Sequence, residues 1–216
     1  MCRDRTTRLA PGLSFAAFGV VLLAGCSLLG RGPAIEEHID LIAVMPIERE
    51  EPASAVPATG PPRLQAGAER VVTAEIYSVL ASSSIWRFVP DITVTQALAK
   101  LDVKGPLQVR AQALGKAVSA DGVLYGTVSR YRERVGTEFG ATEPASVAFT
   151  LSLLSVSNGK VLWTRTFDET QQSLSSNLLN WWQFWEGGPR WFTAEQFTHL
   201  GVERLLNNLA GQLGLD

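Results

Sequence analysis

The sequence predicts an α/β (α+β) fold, in which helices pack on a mixed sheet that ends in an antiparallel meander. Three patterns predict it: an apolar opening strand followed by a helical repeat, three consecutive strand patterns between residues 123 and 168, and a helical repeat at the end. Strands and helices that each have an apolar face bury those faces against one another in layers. With 216 residues, the chain is long enough for one such domain.

The folded region is predicted to begin with a buried strand and a long loop. The apolar run over residues 39 to 47 is typical of a strand covered on both sides. Residues 48 to 63 contain four prolines and Gly60, which break all periodicity and predict an exposed Pro-rich loop. Loops of this length are uncommon unless they are functional or disordered, so residues 48 to 62 are a secondary candidate for contact with a partner.

Helical spacing of apolar residues predicts four helices, and a short strand is predicted after the first of them. The last helix has the clearest start, because Thr193 and Gln196 fit a capping box, in which each side chain bonds to the other's backbone N–H. The predicted helices cover residues 63 to 82, 93 to 101, 107 to 120 and 193 onward, and the short strand covers residues 86 to 90.

Three consecutive strands are predicted late in the chain, over residues 123 to 134, 146 to 156 and 160 to 168. Asn158 and Gly159 separate the last two, and Asn-Gly favours a hairpin because both residues tolerate positive φ. The strands are therefore predicted to form an antiparallel meander. Arg130, Arg132 and Arg134 share one face of the first strand, which fits either an anion or headgroup site or a solvated strand end. Charges on an edge strand would also resist aggregation.

The amino-terminal segment predicts a lipoprotein signal peptide over residues 1 to 25. Three arginines precede an apolar stretch over residues 13 to 23, which is shorter than the about 20 residues that a membrane-spanning helix needs. The stretch leads into Leu23-Ala24-Gly25-Cys26, which resembles the bacterial lipobox. The resemblance implies that the Cys26 thiol is diacylated and that cleavage makes Cys26 the N-acylated amino terminus.

The predicted anchor sets the domain boundaries and the compartment. Residues 26 to 38 are predicted to form a lipidated tether, and residues 39 to 216 a single domain. Ser27 stands where an aspartate would imply retention in the inner membrane of Gram-negative bacteria. The resemblance therefore implies the periplasmic side of the outer membrane. Acyl chains on Cys26 would attach the chain firmly, since each buried CH₂ contributes about 0.8 kcal/mol.

Composition disfavours several function classes. Without residues 1 to 25 the chain keeps 16 basic and 20 acidic residues, and this net charge of −4 disfavours nucleic-acid binding. Cys2 leaves with the signal peptide and Cys26 carries the lipid, so no disulfide is predicted in the mature chain. His38 and His199 are the two histidines, which disfavours a transition-metal site. No cofactor is predicted beyond the diacylglycerol and N-acyl lipid on Cys26.

The sequence contains no arrangement typical of a catalytic site. It has neither a Gly-x-Ser-x-Gly elbow nor a glycine loop that cradles phosphate. Asp168 and Glu169 are adjacent carboxylates, but neighbours on a strand point to opposite faces. His38 falls in the tether and His199 on an amphipathic helix, so neither suggests a Ser–His pair. The chain is predicted not to be an enzyme, with a hydrolase as the last of the alternatives.

Three stretches resemble a known group of lipoproteins. They are Val44-Met45-Pro46, Ala120-Asp121-Gly122-Val123-Leu124-Tyr125-Gly126-Thr127-Val128 and Gly159-Lys160-Val161-Leu162-Trp163. The group consists of envelope lipoproteins whose domains are similar to the amino-terminal domain of TolB. It includes the penicillin-binding-protein activator LpoB, the curli secretion lipoprotein CsgG and the lipoproteins of the GNA1162 type. The resemblance covers roughly residues 39 to 170 and implies a TolB-like fold; members of such a group share the fold and differ in partner.

A tryptophan-rich segment over residues 178 to 192 is the main candidate for contact with a partner. It contains Trp181, Trp182, Trp185 and Trp191, four of the six tryptophans of the chain. Indole rings combine a large apolar area with a polar N–H, and they are enriched in protein interfaces and at membrane headgroup depth. The segment fits a partner-binding or membrane-interface loop, or a loop whose rings fill the core beside the last helix.

These patterns together predict a non-enzymatic binding or assembly factor for another cell-envelope protein, in secretion or in cell-wall synthesis. Two alternatives remain. One is a carrier or sensor of a small apolar or lipid ligand, in which the tryptophans would line a pocket. The other is a homo-oligomeric secretion component. In each case the chain contacts the membrane through the lipid on Cys26.

Overall fold

The structure is a computed structural model that describes residues 35, 37 to 50, 64 to 171 and 191 to 215. All of these residues belong to one compact unit, Arg31–Asp216. Within the described ranges the chain forms four helices and seven strands. The helices are α1 (Ala68–Ser82), α2 (Asp91–Leu98), α3 (Leu107–Ala117) and α4 (Ala194–Leu213). The strands are β1 (Ile42–Val44), β2 (Glu48–Arg49), β3 (Gly122–Arg132), β4 (Val135–Thr137), β5 (Gly140–Glu143), β6 (Ser146–Ser155) and β7 (Val161–Thr170).

Five strands form a mixed sheet, which confirms the predicted fold class. The strand order is β1-β3-β6-β7, and both β1 and β2 pair parallel with β3. The later strands β3, β6 and β7 pair antiparallel, so the predicted meander is confirmed. The parallel pairs require the chain to cross over from β1 and β2 to β3, and the helices α1, α2 and α3 lie in that crossover.

Helices cover both faces of the sheet. The strand β6 is accordingly apolar on both of its faces. Phe149, Leu151 and Leu153 lie in the core shared with α1 and α4. Leu154 lies in a second core, shared with α2 and α3 on the opposite face. Successive strand residues point to opposite faces, so a strand covered on both sides reads as a continuous apolar run. The ring of Phe149 packs against that of Phe167 on β7, with centroids 5.4 Å apart.

Several predicted boundaries differ from the structure. Strand β2 lies inside the predicted Pro-rich loop, because Glu48 and Arg49 pair with β3. The strand predicted over residues 39 to 47 is shortened to β1. The short strand predicted over residues 86 to 90 is reduced to one bridge between Phe88 and β1. The remainder of the Pro-rich loop, residues 51 to 63, lies outside the described residues.

The hairpin between β6 and β7 is confirmed, but its turn differs from the expected one. Gly159 has a φ of +73°, whereas Asn158 does not adopt positive φ. The Gly159 N–H donates to the Ser155 carbonyl at 2.9 Å, and the Ser155 N–H donates to the Lys160 carbonyl at 2.9 Å. The connection therefore has one left-handed residue, at the position where glycine carries no steric cost.

The end of the predicted tether is fastened to the domain. The Ile35 N–H donates to the carbonyl of Gln212 in α4 at 3.0 Å. The Leu41 N–H donates to the Asp121 carboxylate at 2.9 Å. Eight residues separate Cys26 from Ile35, and a chain of that length spans at most about 30 Å. If Cys26 carries the predicted lipid, the domain stays within that distance of the membrane.

Glu37 makes the strongest polar contacts of this amino-terminal segment. Its carboxylate accepts hydrogen bonds from the hydroxyls of Ser155 and Ser157 at 2.5 and 2.7 Å, and from the Asn158 amide at 3.0 Å. The hydrogen bonds from Ser155 and Ser157 hold the pKa of the Glu37 carboxyl below its ordinary value. A carboxyl group with a lowered pKa stabilises the folded state above its unfolded-state pKa. That stabilisation disappears as the pH falls through the folded-state pKa.

Replacing Glu37 with glutamine is expected to loosen residues 37 to 41 at neutral pH. A hydrogen bond to a charged group is worth more than one to a neutral amide, and a loss of about 1 kcal/mol corresponds to roughly fivefold faster amide exchange. Hydrogen exchange followed by mass spectrometry measures this rate. The difference between Glu37→Gln and wild type should vanish in acid, where Glu37 is protonated. Glu203→Gln, on the exposed side of α4, should show no difference at either pH. Equal exchange of Glu37→Gln and wild type at neutral pH would contradict the expectation.

Candidate functional site

The predicted site residues fall partly within the described structure. Trp191 is described, and it lies half-buried just before α4. Trp181, Trp182, Trp185 and Cys26 lie outside the described residues, so the predictions for them stay predictions.

Gln171 and Phe192, which flank residues 172 to 190, are held together at one end of the sheet. Gln171 follows β7, and Phe192 lies two residues before α4. The Phe192 N–H donates to the Gln171 side-chain oxygen Oε1 at 2.8 Å. The Gln171 N–H donates in turn to the Ala145 carbonyl at 3.0 Å, just before β6. Gln171 and Phe192 therefore lie close together, although 20 residues separate them in the sequence.

Trp191 connects this point to the hairpin formed by β4 and β5. Its backbone N–H donates to the Glu138 carbonyl at 2.7 Å, at the turn of the hairpin. Its carbonyl accepts a hydrogen bond from the guanidinium group of Arg134. Both backbone groups of Trp191 are thus satisfied by residues that lie between β3 and β5 in the chain. Trp191 as a whole residue is half-buried.

The start of α4 supplies a fixed support for these contacts. The predicted capping box is confirmed, with the Gln196 N–H donating to Thr193 Oγ1 at 3.1 Å and the Thr193 N–H donating to Gln196 Oε1 at 3.0 Å. The Glu133 carboxylate also accepts from the Ala194 N–H, at 3.1 Å to each oxygen. A carboxylate at a helix amino terminus is stabilised by the helix dipole and by free N–H groups. The helix therefore begins at a firmly defined residue.

The hairpin of β4 and β5 is the most exposed apolar feature at this end of the molecule. Phe139 in its turn is 75% exposed, and Val135 is 52% exposed. The two strands pair with each other and not with the five-stranded sheet. An isolated two-stranded hairpin is at best marginally stable in water. The sequence does not predict this hairpin, since it lacks an apolar face; Gly136 and Gly140 on either side of the turn are its one signal.

The carboxylates near this end create a negative environment. Burial raises the pKa of Tyr131 to about 12, and the charges of Glu133, Glu195 and Glu75 contribute to the same shift. Glu138 and Glu143 add two exposed carboxylates on the hairpin. The hairpin therefore combines an exposed aromatic ring with surrounding negative charge.

Arg130 and Arg132 lie half-buried at the end of β3, in keeping with a partly solvated strand end. β3 is an inner strand of the sheet and not an edge, so no charged edge exists there. Arg130 is bound by protein acceptors, since it donates to Asp168 at 2.5 Å and to Ser146 at 2.6 Å. Arg134 is committed to the Trp191 carbonyl. Neither guanidinium group is left free to hold an anion or a lipid headgroup.

The residues weighed for catalysis lie apart from one another. His199 Nδ1 is 2.7 Å from the Glu75 carboxylate on α1, and the side chain of His38 is 88% exposed. Asp168 and Glu169 bind different arginines, Arg130 and Arg204, as expected for neighbours on a strand.

The described ranges contain neither a metal-binding cluster nor a membrane-spanning helix. No group of three or more His, Cys, Asp or Glu residues there is placed to hold a metal ion. None of the described helices is long and apolar enough to cross a bilayer.

Comparison with known proteins finds similar solved structures. No protein-family model and no curated protein matches the chain. A PelC dodecamer from Paraburkholderia phytofirmans is 18% identical, with a TM-score of 0.43 over 83% of this chain and 93% of that one. The lipoprotein GNA1162 from Neisseria meningitidis is 20% identical, with a TM-score of 0.43 over 66% of this chain and 96% of that one. The LpoB carboxy-terminal domain from Salmonella enterica is 18% identical, with a TM-score of 0.42 over 64% of this chain and 88% of that one.

The group named from the sequence resemblance is thus represented among the similar structures, by LpoB and by GNA1162. Identities of 18% and 20% are distant. The likeness transfers neither a partner nor an activity to this chain.

Proposed function

We propose that this chain is a lipoprotein of the outer membrane, anchored by acyl chains on Cys26 and facing the periplasm. In this proposal it is a non-enzymatic assembly factor that binds another envelope protein, in secretion or in cell-wall synthesis. The lipobox supports the anchor. The observation that carries the binding function is the junction of Trp191 with the exposed hairpin of β4 and β5. This junction brings Trp191, near the end of the tryptophan-rich segment, close to the hairpin turn that contains Phe139.

Exposure of Phe139 is costly unless a partner covers the ring. Fully burying a phenylalanine side chain is worth about 1.5 to 3 kcal/mol relative to leaving it exposed. In protein interfaces, the residues that contribute most of the binding free energy are often aromatic. They lie near the centre of the contact and are surrounded by polar residues. The hairpin thus offers apolar area that the domain itself does not use.

Two tryptophans from outside the segment over residues 178 to 192 lie in the main core. Trp163 is 3% exposed and Trp86 is 7% exposed, and both lie in that core. The Trp163 Nε1–H donates to the Asn208 side chain at 3.0 Å, so its polar atom is also satisfied.

Crosslinking in intact cells, followed by purification and mass spectrometry, tests the proposal. The wild-type chain is compared with a variant that carries Trp181→Ala and Trp182→Ala. We expect wild type to capture one envelope protein and the variant to lose at least about 90% of it, as for two central contact residues. Unchanged thermal unfolding must show that the variant is folded.

Ile92→Ala is the matched control, because Ile92 is 64% exposed on α2. It should capture the same protein as wild type. Equal capture by the tryptophan variant would remove these residues from the interface. Capture of further copies of this chain alone would favour the homo-oligomeric alternative and overturn the proposal.

A further inference from the structure

Three exposed carboxylates lie on the hairpin or at the start of α4. Glu138 precedes Phe139 in the turn, Glu143 pairs with Val135 across the two strands, and Glu195 lies in the first turn of α4. None of these three side chains forms an ion pair or a side-chain hydrogen bond within the described ranges. Their charges therefore remain available to a partner.

Three neighbouring cations have partners of their own, whereas Arg132 at the end of β3 forms no ion pair within the described ranges. Arg134 is bound to the Trp191 carbonyl, Arg130 to Asp168, and Arg204 to Glu169. Residues 135 to 143 contain no lysine or arginine. The hairpin itself is therefore an apolar protrusion that carries two carboxylates and no cation.

We infer that the hairpin inserts Phe139 into an apolar pocket of a partner protein, and that lysine or arginine side chains border this pocket. The inference rests on the proposed function and specifies the chemistry of the partner. An apolar centre with a polar rim is the usual anatomy of an interface, and opposite charges across the rim accelerate association and select the partner. Phe139 supplies the centre, and Glu138, Glu143 and Glu195 supply the rim.

The same charges argue against a membrane as the occupant. Segments that insert into anionic bilayer surfaces carry lysine and arginine beside their apolar residues. Each such cation contributes about 1 kcal/mol near an anionic surface, and a carboxylate is repelled there. A hairpin that carries Glu138 and Glu143 and no cation has the wrong sign for that surface.

Photocrosslinking of the full-length chain in intact cells tests the inference. The probe is p-benzoylphenylalanine, placed at position 139 or, as the control, at position 92. We expect an adduct with one envelope protein from position 139 and none with that protein from position 92. Mapping of the crosslinked peptide should place it beside lysine or arginine residues of the partner.

Charge reversal provides the second readout. Glu138→Lys combined with Glu143→Lys should reduce the adduct at least about tenfold, because like charges then face each other across the rim. Glu203→Lys, an exposed reversal on the outer side of α4, should leave the adduct unchanged. An adduct that is insensitive to the reversal at positions 138 and 143 overturns the inference.

The remaining outcomes separate this inference from the proposed function. Adducts with lipid alone from position 139 would make the hairpin a membrane contact and overturn the inference. A partner that is lost on Trp181→Ala and Trp182→Ala, but gives no adduct from position 139, would leave the proposed function standing and remove the hairpin from the interface. If no partner is captured in either experiment, both fall.

Discussion

Replacing Gly126 with alanine is expected to destabilise the domain more than the same substitution at any other described glycine. Gly126 is buried in the middle of β3, where a Cβ atom would overlap the Thr150 carbonyl oxygen of β6 and lie 3.1 Å from Leu151 Cδ2. A backbone atom cannot yield as the end of a flexible side chain can. Overpacking a rigid core costs about 1 to 3 kcal/mol, and a backbone clash lies at or above the upper end.

The surrounding sheet prevents β3 from moving away. It pairs with β6 on one side, and with β1 and β2 on the other. A cost of about 3 kcal/mol lowers the melting temperature of a domain of this size by roughly 6 to 12 °C. Thermal unfolding followed by circular dichroism measures the shift. Larger side chains at this position should prevent folding.

Gly140→Ala is the matched control, because a Cβ atom there meets nothing within 4 Å. Its melting temperature should stay close to that of wild type, as for most surface substitutions, which change stability by less than about 0.5 kcal/mol. Equal melting temperatures for Gly126→Ala and wild type would show that the two strands can separate locally, and that the register of β3 against β6 is less rigid than the geometry indicates.

The parts of the fold that were predictable are those in which local sequence and burial agree. β6 is apolar on both faces, and its neighbours β3 and β7 are also marked by apolar positions, so the meander is visible in the sequence. The capping box of Thr193 and Gln196 depends on residues three positions apart. Neither feature requires knowledge of distant contacts.

The parts that were not predictable depend on distant residues or lack an apolar face. Glu37 binds hydroxyl groups 118 and 120 positions away, and no local pattern indicates such a contact. β2 has two residues and exists because β3 lies beside it. The hairpin of β4 and β5 is exposed on both faces, so alternation of apolar and polar residues cannot reveal it.

The candidate site also contains both predictable and unpredictable features. Composition alone singled out Trp191, but its contact with Glu138 needed the hairpin to be known. The ion pair of Arg130 with Asp168 on β7 likewise needed the strand pairing to be known, because Asp168 lies 38 residues further along the chain.

Replacing Cys26 with serine is expected to release the protein from the membrane. A serine hydroxyl cannot form the thioether that the lipobox resemblance implies, and without the lipid the cleavage at Cys26 should not occur. Stable membrane attachment requires two acyl chains or an equivalent second signal. The membrane-bound fraction, measured by detergent phase separation, should fall from nearly all of the protein to less than about a tenth. Mass spectrometry of the amino-terminal peptide should show the mass of two or three acyl chains in wild type and none in the variant.

Cys2→Ser is the matched control, because Cys2 is the other cysteine and lies within the predicted signal peptide. That variant should be lipidated and membrane-bound like wild type. Attachment in the Cys26→Ser variant equal to that of wild type would show that the apolar stretch over residues 13 to 23 itself holds the protein in the membrane. A partner captured by wild type and lost in the released Cys26→Ser variant would show that the proposed function needs the anchor as well as the surface.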